Sequence, residues 1–211
     1  MESPLGSAIE IVLSYNDVKS RADSNGIATF DCMKPNDYFV VKGYPNDTEK
    51  FQDMYIYGFT GSTAFNYTTF YGTRAQAKAV FHTLDIDFDP SAGIAVVGLD
   101  ISNDGSNEPS SLVAAVGAGS TLHYDGVDAI PTPFIYEGAI PKFGSQITER
   151  SQSFVTYPNI PTKSKNALLA TSPNGLNCLL SPGLQYPQNE LVFEVVADSI
   201  TVVSYICADA R

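Results

Sequence analysis

From Gly93 to the C terminus the chain repeats one kind of organisation. A short apolar or alternating run is followed by a break of Gly, Pro, Asn or Asp, at intervals of about ten residues. GIAVVGLDI and SLVAAVG read as buried strands, TLHYD and PFIYEGAI as strands ended by turn residues, and ITERSQSFVTY as a weaker alternation. The stretch 158–187 is rich in Pro, Asn, Ser and Gly, with NALLAT and NCLLS as short strands inside it. ELVFEVVADSITVVSYICA closes the chain as a hairpin turning near Asp198-Ser199. No helix of sufficient length separates these runs regularly, which argues against a parallel sheet with helical crossovers. The pattern predicts an all-β, single-domain antiparallel barrel or sandwich with long loops and at most one or two short helices.

The first half of the chain fits the same plan. AIEIVLSY alternates, and GIATFDCM and DYFVVKGY read as two strands joined by a turn at Pro35-Asn36-Asp37. DMYIYGFTGSTAFNYTTFY is aromatic and suits a half-buried pleated surface, with Gly58 and Gly61 marking a bend or a hairpin connection. Residues 73–84 fit a short helix or a strand: Thr73 can cap, and Ala77, Val80, Phe81 and Leu84 fall at helical spacing. LDIDFD then alternates as a strand would. Residues 1–7, MESPLGS, read as a start methionine plus a cloning remnant, leaving 8–211 as one β-rich domain excised from something larger.

Composition narrows the function. Charged residues are only 17% and hydrophobic residues 44%, so the chain folds instead of forming a solvated acidic tail. A net charge of −11 with 12 scattered Lys and Arg argues against nucleic acid, whose phosphates are bound through counterion release. An apolar stretch long enough to insert into a membrane is missing from the sequence.

Candidate chemistry is sparse. Asp85, Asp87 and Asp89 at strand spacing put three carboxylates on one face, a possible set of hard ligands for Ca²⁺; the plainer reading is the polar face of an amphipathic strand. The stretch 100–111, DISNDGSNEPSS, matches the first half of a calcium loop, but Ser111 stands where a bidentate Glu is needed, so a hairpin loop explains it better. His82 and His123 lack zinc spacing, no nucleophile elbow is present, and GAGS at 117–120 lacks the lysine of a phosphate loop. The expectation is a non-enzymatic domain without cofactor or resident metal. Cys32, Cys178 and Cys207 are odd in number, leaving at least one thiol free; Cys207 reads as a small core residue, although any two of the three could bridge. Free thiols suit a reducing compartment.

What remains is surface. Tyr offers a rigid apolar ring with a polar tip, and among Thr and Asn this suits glycan or protein contact. The candidate receptor-contacting residues are Tyr57, Asn66 and Tyr67 in the aromatic segment and Asp104, Asn107 and Glu108 in the following loop. The competing reading packs most of the tyrosine rings in the core. Sequons at Asn46 and Asn66 permit glycosylation if the chain is secreted.

The length, the odd cysteines, the lack of Trp, the acidic loop-rich strands and the terminal VFEVVADSITVVSYICADAR ending at Arg211 together resemble the spike (protruding) domain of astrovirus capsid proteins, avian ones included. The resemblance implies a β-barrel spike that forms a homodimer on the virion surface, binds a host-cell receptor (glycan or protein) and presents epitopes to antibodies. The alternative expectation is a carbohydrate-binding or adhesin module of a secreted bacterial protein, against which the absence of Trp counts mildly.

Overall fold

The computed structural model describes residues 9–13, 18–23, 27–31, 33–35, 37–60, 72–102, 118–124, 127–128, 131–147, 154–162, 166–171, 177–180 and 190–208. Two sheets pack face to face, so the all-β sandwich is borne out, and no closed barrel forms among the described residues. The first sheet runs β2 (Val18–Arg21), β1 (Ile9–Leu13), β3 (Tyr38–Pro45), β4 (Asp53–Phe59), β15 (Ser199–Ala208), β5 (Gly93–Ser102), β11 (Phe154–Ile160), β8 (Phe134–Glu137), β9 (Ile140–Phe143). Short β13 (Asn177–Leu180) joins the distal half of β15. The second sheet is β10 (Gln146–Ile147), β6 (Ala118–Tyr124), β12 (Asn166–Thr171) and β14 (Glu190–Phe193), with β7 (Val127–Asp128) on β6.

The ladders are antiparallel except at the centre, where β15 runs parallel to both β4 and β5. The terminal hairpin expected at Asp198-Ser199 therefore does not form. β14 belongs to the second sheet, and the chain crosses at 194–198 to insert β15 into the middle of the first. Gly93 makes room for that crossing: a Cβ there would stand 2.2 Å from Val195 Cγ1 and 2.7 Å from the Val196 carbonyl oxygen. Asp198, at φ 53, turns the chain and donates its N–H to the Ala92 carbonyl at 2.8 Å. Its carboxylate meets the Arg74 guanidinium, whose Nε also donates to the Thr48 carbonyl at 2.9 Å.

Between β4 and β5 lies α1 (Arg74–Thr83), the one helix among the described residues. Its capping box is reciprocal: the Thr73 hydroxyl accepts from Gln76 N–H at 3.1 Å, and the Gln76 amide oxygen accepts from Thr73 N–H at 2.8 Å. The helix places Ala77, Val80 and Phe81 on the outer face of the first sheet, against Ile94, Val96 and Phe134. The other face of β5 sends Ala95, Val97 and Leu99 into the main core between the sheets. β5 is thus apolar on both sides, as the run GIAVVGL implied. GIATFDCM does not become a strand in its described part; the antiparallel partner of β3 on that side is β1, and β2, within a polar stretch, pairs with β1.

Three tyrosines tie the sheets together. The Tyr157 hydroxyl donates to the Ser120 carbonyl at 2.6 Å and lies 2.8 Å from the Ser120 hydroxyl; both residues are buried. The Tyr205 hydroxyl donates to the Leu168 carbonyl at 3.1 Å. Tyr57 sets its ring edge-on against Phe193, with its hydroxyl 3.3 Å from the Glu194 carbonyl and amide groups. A phenol is long enough to cross much of the ~10 Å gap between packed sheets, and its tip needs a polar partner there. The far sheet supplies carbonyls with a spare lone pair.

Burial pushes the Tyr157 phenol from its ordinary 10.0 up to about 12, partly opposed by the hydrogen bond to Ser120. The folded state therefore holds this proton more tightly than the unfolded chain does. Its contribution, on the order of 3 kcal/mol, is complete below pH 10 and is lost as pH rises through about 12. A near-ultraviolet difference titration of wild type against Tyr157→Phe is expected to show no phenolate from this residue until the protein unfolds in alkali. A Tyr157 signal near pH 10 in folded protein would show that water reaches the site.

Candidate functional site

The segment read as the strand LDIDFD is instead the exit from α1. Leu84 caps the helix and Asp85 takes the left-handed conformation (φ 57). The Asp85 N–H then donates to the His82 carbonyl at 3.2 Å, and the Ile86 N–H to the Phe81 carbonyl at 2.9 Å. This is the paired hydrogen bonding of a Schellman ending, with Ile86 packed in the same apolar cluster as Phe81. The alternation survives without a strand: Ile86 and Phe88 face the cluster, while Asp85, Asp87 and Asp89 are exposed. Asp89 accepts from the Ser91 N–H at 2.8 Å and the Ser91 hydroxyl at 2.7 Å, and these bonds hold its carboxyl below the usual range. These aspartates shape a turn and solvate one side of it.

Opposite this segment, β11 carries an irregularity in register between Tyr157 and Ile160. Asn159, at φ 50, there turns its side chain to the 86–89 segment. Its Nδ2 donates to the Asp87 carbonyl at 2.7 Å, and its Oδ1 accepts from the Asp89 N–H at 3.2 Å. One amide side chain thus does the pairing work of a neighbouring strand, and both its ends are engaged.

The result is a groove of about 330 Å³ along the β8–β9 edge of the first sheet. Pro131, Pro158 and Pro161 supply rigid rings, Ile86 and Phe143 form apolar walls, and Thr132 contributes a hydroxyl-bearing side chain. Phe143 is 48% exposed and Ile140, on the same edge strand, 68%. Lys142 beside them is bound to Glu137 at 2.7 Å, so its charge is locally matched. The groove can hold an apolar chain segment or a ring; it presents no convergent acid, base or nucleophile among its lining residues.

Of the six residues expected to meet a receptor, Tyr57 is half-buried and serves as one of the inter-sheet pins. Burial, the largest influence, raises its phenol, with the Glu194 backbone opposing. Asn66, Tyr67, Asp104, Asn107 and Glu108 lie outside the described residues, as does most of the 100–111 loop. The segments that carry them leave β4 and β5 at Phe59 and Ser102. These strands run parallel on either side of β15, so Phe59 and Ser102 lie at the same end of the sheet. Among the described residues no three His, Cys, Asp or Glu side chains gather as a metal site. The groove residues went unnoticed in the sequence because their prolines read only as strand punctuation, and nothing in the spacing of 86, 131, 143 and 158 says they meet.

Cys178 is disulfide-bonded and 2% exposed, and Cys207 stands directly opposite it in the β13–β15 register. Of the bridges the sequence left open, one that includes Cys178 therefore forms.

No family model and no curated protein matches the chain. Among solved structures it is similar to a pilus-presented adhesin at 6% identity and a TM-score of 0.36; the likeness covers 82% of this chain but 37% of the adhesin. It is also similar to the major pilin from Streptococcus pyogenes at 10% identity and a TM-score of 0.34, covering 97% of this chain and 91% of the pilin. A likeness this loose assigns neither family nor partner. The expected virion-surface location is corrected nonetheless: these neighbours are bacterial pilus proteins, not capsid proteins.

Proposed function

We propose that this chain is a non-catalytic attachment module, an exported β-sandwich domain that holds a partner on a preformed surface. The Cys178 disulfide carries the reading. Disulfides persist in oxidising compartments outside the cytosol, where a domain meets foreign surfaces. Two further features support it. The scaffold is stiffened by buried tyrosine bridges between its sheets, so little order is lost on binding. Its groove exists before any ligand arrives. A high negative charge keeps such an exposed domain soluble and disfavours indiscriminate adhesion to anionic surfaces.

Fluorescent beads coated with the domain are expected to attach saturably to epithelial cells and to be displaced by excess free domain. Periodate treatment of the cells removes attachment if a glycan is bound, and trypsin treatment if a protein is. Attachment no greater than that of albumin-coated beads would refute the proposal.

A further inference from the structure

We propose that two copies of this chain, folding at high concentration, exchange β15 reciprocally and are then joined by the Cys178 disulfide. Each copy fills the slot between β4 and β5 of the other. The inference goes beyond the attachment reading and does not rest on it. Among the described residues β4 and β5 share no ladder; β15 alone links β2-β1-β3-β4 to β5-β11-β8-β9 within the first sheet. In that slot Ser199 lies opposite Asp53 and Ala208 opposite Ser102, and Thr201, Val203 and Tyr205 are fully buried. The structure itself shows that this segment fits, and a second copy carries the same segment. An exchanged pair keeps every ladder and core contact of β15, so the balance between forms lies in the hinge and in the concentration.

The hinge is 194–198, where the chain passes from the second sheet to the first. Glu194, Val196 and Ala197 are exposed, and Val195 is the buried member, lodged against Gly93. The closed hinge holds Asp198 at φ 53, a left-handed conformation that costs a non-glycine residue. Opening relieves that cost and gives up the contacts of its carboxylate with Arg74 and Gln52. The two effects oppose, and concentration selects the form.

Folding order makes exchange accessible. β15 follows β4 and β5 at long sequence separation, and such non-local pairing forms slowly because the loop must close first. Until it forms, the slot is open to any copy. A flexible tether gives a chain's own segment an effective concentration of about millimolar, which a second copy matches at millimolar protein. Cys207 stands opposite Cys178 in the β13–β15 register, so in an exchanged pair the facing cysteines belong to different copies. The bond traps whichever arrangement is present when it closes.

The test refolds the full-length Cys32→Ser chain from denaturant at micromolar and at millimolar concentration, as an equal mixture of heavy-isotope-labelled and unlabelled protein. Oxidised glutathione is the oxidant: it accepts two electrons and two protons from the thiols of Cys178 and Cys207 and leaves as two reduced molecules. Millimolar refolding is expected to yield a dimer of twice the monomer mass by light scattering, with the near-ultraviolet dichroism of the monomer. Half of its Cys178–Cys207 peptide pairs are expected to combine a labelled with an unlabelled chain, whereas micromolar refolding gives monomer and no mixed pairs. Removing Val196 and Ala197 cuts the extended reach of the hinge from about 20 Å to about 13 Å, too little to cross the ~10 Å between sheets and also turn at Asp198. That variant is expected to be dimeric at both concentrations.

Monomer at both concentrations in the unshortened protein, a dimer without mixed pairs, or a dimer that has lost the near-ultraviolet signal overturns the inference. So does a shortened variant that folds as a monomer; if that variant does not fold, the mixed pairs of the unshortened protein decide.

Discussion

Replacing Tyr205 by alanine is expected to lower stability by about 3–5 kcal/mol, the largest single effect we anticipate from a side-chain truncation. Tyr205 is fully buried on β15, the strand that joins both halves of the first sheet. Its ring lies in the core shared by the two sheets, and its hydroxyl holds the Leu168 carbonyl on β12. Truncation removes the ring, leaves a cavity between two sheets that cannot easily collapse, and strips that carbonyl of the Tyr205 hydroxyl. Tyr205→Phe is expected to cost about 1 kcal/mol, the hydrogen bond alone. Urea denaturation of the three proteins separates the two contributions. A loss for the alanine variant no larger than that for the phenylalanine variant would mean that the ring does not fill the core as described.

Reduction of the disulfide is expected to cost about 2–5 kcal/mol, and Cys178→Ser to reproduce that loss without reductant. β13 has four residues and joins the first sheet by pairing to the end of β15. The crosslink limits the unfolded chain and keeps this strand in register. Non-reducing peptide mapping is expected to join the Cys178 peptide to that of Cys207, its counterpart in the ladder. An unchanged melting curve under reductant, together with a free Cys178 thiol in mapping, would remove the main support for an exported module.

Local chemistry was legible where it depends on neighbours in the chain. Thr73, Gln76 and the apolar spacing of Ala77, Val80 and Phe81 set a capped helix, which the sequence left open between helix and strand. Tyr38–Pro45, Gly93–Ser102, Asn166–Thr171 and Asn177–Leu180 fall where apolar runs between turn residues placed strands. LDIDFD misled because period-two exposure needs only an extended backbone, and here a left-handed Asp85 and the amide of Asn159 supply it without a ladder. The terminal hairpin misled because the turn at Asp198 is real while its consequence is not: the chain reverses there between sheets and not within one.

The candidate site was less legible still. Tyr57 advertises a contact surface by composition, yet the facing Phe193 and the Glu194 backbone make it a pin. The groove depends on four segments far apart in sequence, and a proline gives the same local signal whether it ends a strand or walls a pocket.

The sequence by itself determined that this chain is β-rich and acidic, and where many of its strands and its helix lie, because alternation, capping and turn chemistry act over a few residues. Only the tertiary structure decided that β15 enters between β4 and β5 as a parallel neighbour, that tyrosines bridge the sheets, that Cys178 is bonded, and that Ile86, Phe143 and three prolines share a groove. The physical reason is that an unpaired strand offers the same backbone groups to any partner, so the choice among partners is made by how all side chains fill one core.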